Sequence, residues 1–183
     1  MLPASIMNSL INLIGLVSVE KTLIITGGKY ADSKYLGFLD EVSIFTLPDN
    51  LLHRYDPKQK ARLQKAIEET KCTQIIFLGM LDLEMEHFLA SSLSLHSVRA
   101  GLRFKTPLLP TNENGIEYHQ RSFALLEQHV MTQCNHLMEF YFVKEKIKNG
   151  QLSVRGIVGT SNTDTFKTVF TNGIRFNDLP SMN

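Results

Sequence analysis

The sequence predicts an α/β fold built on a mostly parallel sheet. Three short apolar runs have the length of buried strands: Lys21 to Thr26, Val42 to Leu47 and Gln74 to Leu78. Stretches with the apolar spacing of amphipathic helices follow the second and third runs. This alternation of strands and helices is typical of parallel sheets that carry helices on their faces.

The composition is that of a globular domain. The chain has 183 residues, of which 43% are hydrophobic and 20% are charged, values close to the averages of folded domains. Lys and Arg number 19 against 18 Asp and Glu, so no overall field attracts nucleic acid or an anionic membrane. The 2 cysteines suit a reducing compartment, and we expect a cytoplasmic protein.

The first 18 residues are apolar and contain no Lys or Arg. A secretory signal would need a cationic beginning. Polar residues interrupt the run and make it a poor membrane span: Asn8, Ser9 and Asn12. Its apolar residues recur at helical spacing: Ile6, Leu10, Leu13, Ile14 and Val17. We predict an amphipathic helix that packs on the body of the chain or on a partner subunit, with a targeting segment as the alternative.

The first internal helix is expected to begin at Asp56 and Pro57. Asp is a favoured N-cap residue, and Pro is tolerated at the first helical position, where its missing N–H is not needed. The predicted buried face comprises Leu63, Ala66 and Ile67. Gly79 is predicted to break the third strand, and Asp82 to Leu93 to form the next helix.

The second half of the chain predicts a long helix and a hairpin. Residues 94–120 contain prolines and loop residues and are expected to be irregular. Arg121 to Asn149 predicts a helix with a break near Tyr141, ended by the glycine that follows it. Leu152 to Val158 and Thr165 to Phe170 predict a strand and its hairpin partner.

Part of this second half resembles a known family. Leu126 to Val158 reads LEQHVMTQCNHLMEFYFVKEKIKNGQLSVRGIV. Val130 to Leu137, Tyr141 to Glu145 and Gly150 to Gly156 are similar, in order and spacing, to the patterns VxxQVxNL, PFVRE and GxLxLHGWxYD of β-class carbonic anhydrases. Lys60 to Glu84 resembles the family's segment that leads to GHxxCG. The resemblance covers residues 21–159.

The resemblance implies a mostly parallel central sheet flanked by helices, with an antiparallel edge strand. It also implies a dimer in which N-terminal helices embrace the neighbouring subunit. We expect a single domain over residues 1–183. It comprises an N-terminal amphipathic helix (1–20), a carbonic-anhydrase-like core (21–159) and an edge hairpin with a polar, frayed tail from Asn172 (160–183).

The family's metal ligands are absent from the matching positions. The family binds zinc through a Cys of CxDxR and through the His and Cys of HxxC, and the zinc activates a water for attack on carbon dioxide. Gly79 to Glu84 matches GHSDCG, so Met80 stands at the His and Leu83 at the second Cys. One register puts Tyr30 at the first Cys, and the other puts a residue of Gly27-Gly28 there.

The resemblance therefore implies a pocket without zinc, which could hold a small anion or an apolar ligand. Its residues are Gly28, Tyr30, Met80, Asp82 and Leu83. Asp32 and Lys34 correspond, in the first register, to the family's Asp–Arg pair that positions the catalytic water. They are the catalytic candidates, although Lys lacks the planar pair of donors of Arg. The alternative is that both are ordinary loop charges.

Other groups of residues are weaker candidates for a site. Acidic residues and a His after the third strand could bind a divalent ion, or simply suit the first turn of a helix: Asp82, Glu84, Glu86 and His87. Gly27-Gly28-Lys29 could cradle an anion or be a plain turn. Cys72 precedes a strand, Cys134 lies within a helix, and His129 and His136 are a heptad apart without a third ligand.

We expect a carbonic-anhydrase-like homologue without zinc-dependent carbon dioxide hydration. It would act by binding or as a structural homodimer, with a small anion or small molecule as ligand and with no nucleic acid or membrane as partner. Three alternatives stay open. They are an enzyme of different chemistry using Asp32, Lys34, Asp82 or Glu84, an active carbonate dehydratase with unrecognised zinc ligands, and an unrelated α/β ligand binder.

Overall fold

The part of the chain that the structure describes contains both strands and helices. The computed structural model describes residues 21–27, 42–47, 51–53, 55–81, 85, 89, 115–160, 163–172 and 174–175. The strands are β1 (Thr22–Gly27), β2 (Val42–Leu47), β3 (Gln74–Leu81), β4 (Ser153–Thr160), β5 (Thr163–Thr171) and β6 (Ile174–Arg175). The helices are α1 (Pro57–Thr70), α2 (Gly115–Glu139) and α3 (Tyr141–Lys148).

The strands form one sheet in the order β2-β1-β3-β4-β5-β6. The first four strands in this order are parallel, β5 pairs antiparallel with β4, and β6 pairs antiparallel with β5. The register is continuous across the centre, where Ile25 of β1 pairs with Phe45 of β2 and Phe77 of β3. The predicted α/β class, the parallel sheet and its antiparallel edge are confirmed.

Helix α1 begins where the sequence predicts. The Asp56 carboxylate accepts hydrogen bonds from the backbone N–H groups of Lys58 and Gln59 at 2.9 and 3.2 Å. Pro57 follows as the first helical residue, and Leu63 and Ile67 are buried against the sheet. The helix ends at Lys71, whose φ of 51° lies in the left-handed region and stops the helical hydrogen bonding.

Helix α2 packs against the centre of the sheet at two glycines. A methyl group on Gly79 of β3 would lie 2.5 Å from Cγ2 of Val130, and one on Gly156 of β4 would lie 2.9 Å from its Cγ1. Neither strand position has room for a side chain, so the helix can approach the strands closely. The predicted break near Tyr141 falls at Phe140, a buried residue with extended backbone between α2 and α3.

The sheet buries apolar side chains on both faces, as strands of a parallel sheet do. The described helices pack on one face of the sheet, where their apolar side chains form a cluster with Leu23, Ile25 and Phe77 of the strands. The other face carries a second cluster of strand residues, in which the fully buried members are Ile24, Ile76, Leu78, Met80 and Ile157. Val42, Ile44 and Phe166 are partly buried against this second cluster.

Three predictions about boundaries were wrong. Gly79 does not end the third strand, which continues to Leu81 because the glycine is a contact point for α2. Residues 115–120, predicted to be irregular, form the first turns of α2. Within the predicted frayed tail, Ile174–Arg175 pairs with β5 as a short strand.

Two predicted helices lie wholly or largely outside the described residues. Nothing in the described structure tests the N-terminal helix. Of Asp82 to Leu93, the structure describes Met85 and Leu89, which are both helical and buried. A spacing of four residues puts both side chains on one face of a helix.

Candidate functional site

The candidate site lies at the carboxyl edge of the parallel strands. Open α/β sheets bind ligands beyond the carboxyl ends of their strands, because the loops that follow neighbouring strands meet there. Strands β1, β3 and β4 end on this edge at Gly27, Leu81 and Thr160. The register places Thr26 opposite Leu78, so Gly27 is level with Gly79, next to Met80.

Met80 is fully enclosed by protein. It is 2% exposed and belongs to the second apolar cluster, beside Leu78 and Ile157. Across the sheet it pairs with Gly159 of β4, which in turn pairs with Phe166 of β5. The position that the family resemblance matches to a zinc-binding His therefore carries a thioether in apolar surroundings.

The described structure contains one of the predicted pocket residues, Met80. The others lie outside the described residues, as do both catalytic candidates: Gly28, Tyr30, Asp32, Lys34, Asp82 and Leu83. The same holds for the acidic residues that follow the third strand and for Lys29. Their roles stay predictions.

The cysteines are placed as the sequence predicts, and neither lies at the candidate site. Cys72 sits between α1 and β3, at the amino edge of the sheet. Burial raises the pKa of its thiol, against a smaller lowering by a hydrogen bond with Thr70 and by the charge of Lys146. Cys134 is buried in α2 against Gly156, and its burial raises the pKa of its thiol strongly. Both thiols are therefore protonated at neutral pH, whereas a metal ligand must be a thiolate.

The two heptad-spaced histidines lie along α2, partly buried. His129 meets the ring of Phe77 edge-on, with 6.5 Å between ring centroids. The Nδ1 atom of His136 is buried without a hydrogen-bond partner. Among the residues that the structure describes, no three side chains of His, Cys, Asp or Glu are grouped as metal ligands. At position 80, the matched ligand position that lies within the described residues, a thioether does not fit the family's zinc.

Two buried glutamines that sequence reasoning missed fix the segment after β2. Gln133 of α2 accepts a hydrogen bond from the backbone N–H of Leu52 at 2.7 Å through Oε1. Gln59 of α1 accepts one from the N–H of His53 at 2.6 Å and donates one to the carbonyl of Leu51 at 3.0 Å. The available signal was the Gln of the VxxQVxNL pattern, which falls at position 133.

Comparison with known proteins identifies the architecture. No family model and no curated protein sequence matches the chain. A tetrameric β-carbonic anhydrase of Sordaria macrospora matches with a TM-score of 0.61 at 15% identity, over 91% of this chain and 90% of the other. Wild-type CafD, a β-carbonic anhydrase of Aspergillus fumigatus, matches with a TM-score of 0.56 at 20% identity, over 84% and 91%.

A third example is a Coccomyxa β-carbonic anhydrase in complex with acetazolamide, with a TM-score of 0.54 at 16% identity, over 87% of this chain and 77% of the other. None of the helices in the described part of the chain is long and apolar enough to span a membrane. The structural matches bear out the family resemblance seen in the sequence. The chain therefore has the fold of the β-carbonic anhydrases.

Proposed function

We propose that this chain is a β-carbonic-anhydrase-like protein that does not hydrate carbon dioxide through zinc. It acts by binding or as a structural subunit. The observation that supports this most directly is Met80, which stands at a ligand position of the family and is 2% exposed in an apolar cluster.

Zinc chemistry makes specific demands that these residues do not meet. A catalytic zinc takes three ligands from thiolate, imidazole or carboxylate side chains and keeps a fourth position open to water. The side chain at position 80 is a thioether, and its apolar surroundings make the burial of a dication unfavourable in free energy. Gly27 at the end of β1 carries no side chain at all. The matching position Leu83 supplies an alkyl group.

We propose a homodimer in the cytoplasm, with a small anion or small molecule as ligand. The Sordaria enzyme is described as tetrameric, which supports an oligomer for the same fold. The apolar residues at helical spacing in 1–20 are a suitable contact for a second copy. A ligand would reach the protein at the carboxyl edge of β1 and β3.

A hydration assay tests the proposal. Stopped-flow measurement of carbon dioxide hydration is made on the purified full chain with and without added zinc, beside an active β-carbonic anhydrase as positive control. We expect the uncatalysed rate in both conditions. Acceleration that requires zinc and is lost on adding a chelator would overturn the proposal. It would show that ligands outside the matched positions complete the site.

A further inference from the structure

We infer that Phe166 closes the corner of the sheet around Met80, so that this part of the family's metal site has become hydrophobic core. The match of position 80 to a metal ligand rests on the proposed function, whereas the packing of Phe166 and Met80 does not depend on it. The closure also limits where a ligand can sit, because any ligand at the carboxyl edge must bind outside this corner.

The closure follows from a row of residues that crosses three strands. Met80 of β3, Gly159 of β4 and Phe166 of β5 are successive cross-strand partners. Directly opposed residues point to the same face of a sheet, and their side chains are in contact distance of each other. With no side chain in the middle of the row, the two outer side chains can meet above Gly159.

Both side chains lie against this glycine, and Phe166 packs against the cluster that contains Met80. A methyl group on Gly159 would lie 2.7 Å from both Cδ1 and Cε1 of Phe166 and 3.1 Å from Sδ of Met80. The ring and the sulfur therefore occupy the space next to the glycine backbone, where a water molecule or a metal ion would not fit. Contacts of this kind between a thioether and an aromatic ring are favourable.

This arrangement differs from a simple loss of ligands. If only the ligand had been lost, position 80 would still border an open pocket, and a His placed there would face water. Here the ring of Phe166 stands over the same backbone. A His at position 80 would be pressed against that ring, so restoring the single ligand does not restore a metal site.

The rate of oxidation of Met80 by hydrogen peroxide tests the closure, because sulfoxide formation requires access of peroxide to the sulfur. The rate is measured by peptide mass spectrometry on the full-length protein and on Phe166→Ala. Thr168→Ala is the matched control, since Thr168 lies two residues along the same strand and pairs with Ile157. Circular dichroism establishes that each variant is folded.

We expect Met80 of the native protein to oxidise about tenfold or more slowly than the same residue in the denatured chain. Phe166→Ala should raise the native rate by about fivefold, and Thr168→Ala should leave it unchanged. If Phe166→Ala does not fold, Phe166→Leu should raise the rate in the same direction by a smaller factor.

A native Met80 that oxidises as fast as in the denatured chain would overturn the closure. So would a folded Phe166 variant with an unchanged rate. Zinc-dependent hydration by the native protein would refute the proposed function without altering the oxidation result. A readily oxidised Met80 in a zinc-free protein would refute the closure alone.

Discussion

At the scale of single residues, Gly79 and Gly156 set the distance between α2 and the sheet. Both lie within strands, where glycine lowers the stability of the folded state because it loses more backbone freedom on folding than any other residue. The close contacts with Val130 and Leu126 explain why a larger residue does not fit. The two positions should therefore be among the least tolerant of substitution in the described sheet.

Gly79→Ala should lower the free energy of unfolding by about 1–3 kcal/mol, because the added methyl group overpacks the contact with α2. Gly150→Ala is the control, since a methyl group there meets nothing within 4 Å and only the φ of +68° opposes it, at about 1 kcal/mol. Urea unfolding measures both. A loss at Gly79 of less than about 1 kcal/mol would contradict the packing.

Gln133→Met should destabilise the fold by about 1–3 kcal/mol, because it leaves the buried N–H of Leu52 without an acceptor. The amide of Leu52 should also exchange its hydrogen faster in this variant. Gln128→Met, at an exposed position of the same helix, should change stability by less than about 0.5 kcal/mol. Equal effects of the two substitutions would show that the hydrogen bond to Leu52 contributes nothing.

Cys134 should make stability fall at alkaline pH. Its burial raises the pKa of the thiol above the ordinary value of 9.0, so above that pH the unfolded chain loses a proton that the folded chain keeps. The unfolded state then binds fewer protons, and stability decreases by about 1.4 kcal/mol per pH unit for this group. Cys134→Ala should show a shallower decrease above pH 9. Identical slopes would mean that the thiol is not protected.

At the scale of elements, the sequence predicted most of the sheet, because local patterns decide strand identity when both faces are buried. The bounds of β2 were predicted to the residue, and the cap of α1 followed from Asp56 and Pro57. The prediction that Gly79 ends β3 was wrong because a glycine can either end a strand or allow a helix to pack closely against it. The deciding partner, Val130, is distant in sequence. The contact of Phe166 with Gly159 depends in the same way on strand pairing, which periodicity does not reveal.

Asp56→Ala should lower the free energy of unfolding by about 1 kcal/mol, because two N–H groups at the start of α1 lose their acceptor. Asp56→Ser keeps an acceptor at this position and should restore most of that loss. Thermal unfolding of the two variants beside the native protein measures the difference. If Ser and Ala were equivalent, the cap would not contribute to the stability of α1.

At the scale of the whole molecule, the fold and the chemistry of the site have to be considered separately. The sheet order, the antiparallel edge and the long α2 are those of an enzyme fold, and a fold by itself does not imply an activity. In folds of this class the ligand binds at the carboxyl edge of the sheet. Of the predicted site, the described part of the chain supplies Met80, a buried thioether at a position where we propose that no metal binds.

The metal content of the protein tests the central claim most directly. Elemental analysis is made on full-length protein purified without chelators or metal-affinity tags, and its mass in solution is taken from the same sample. We predict no stoichiometric zinc in a folded dimer. About one zinc per chain would contradict this account, since such stoichiometry requires a complete set of ligands.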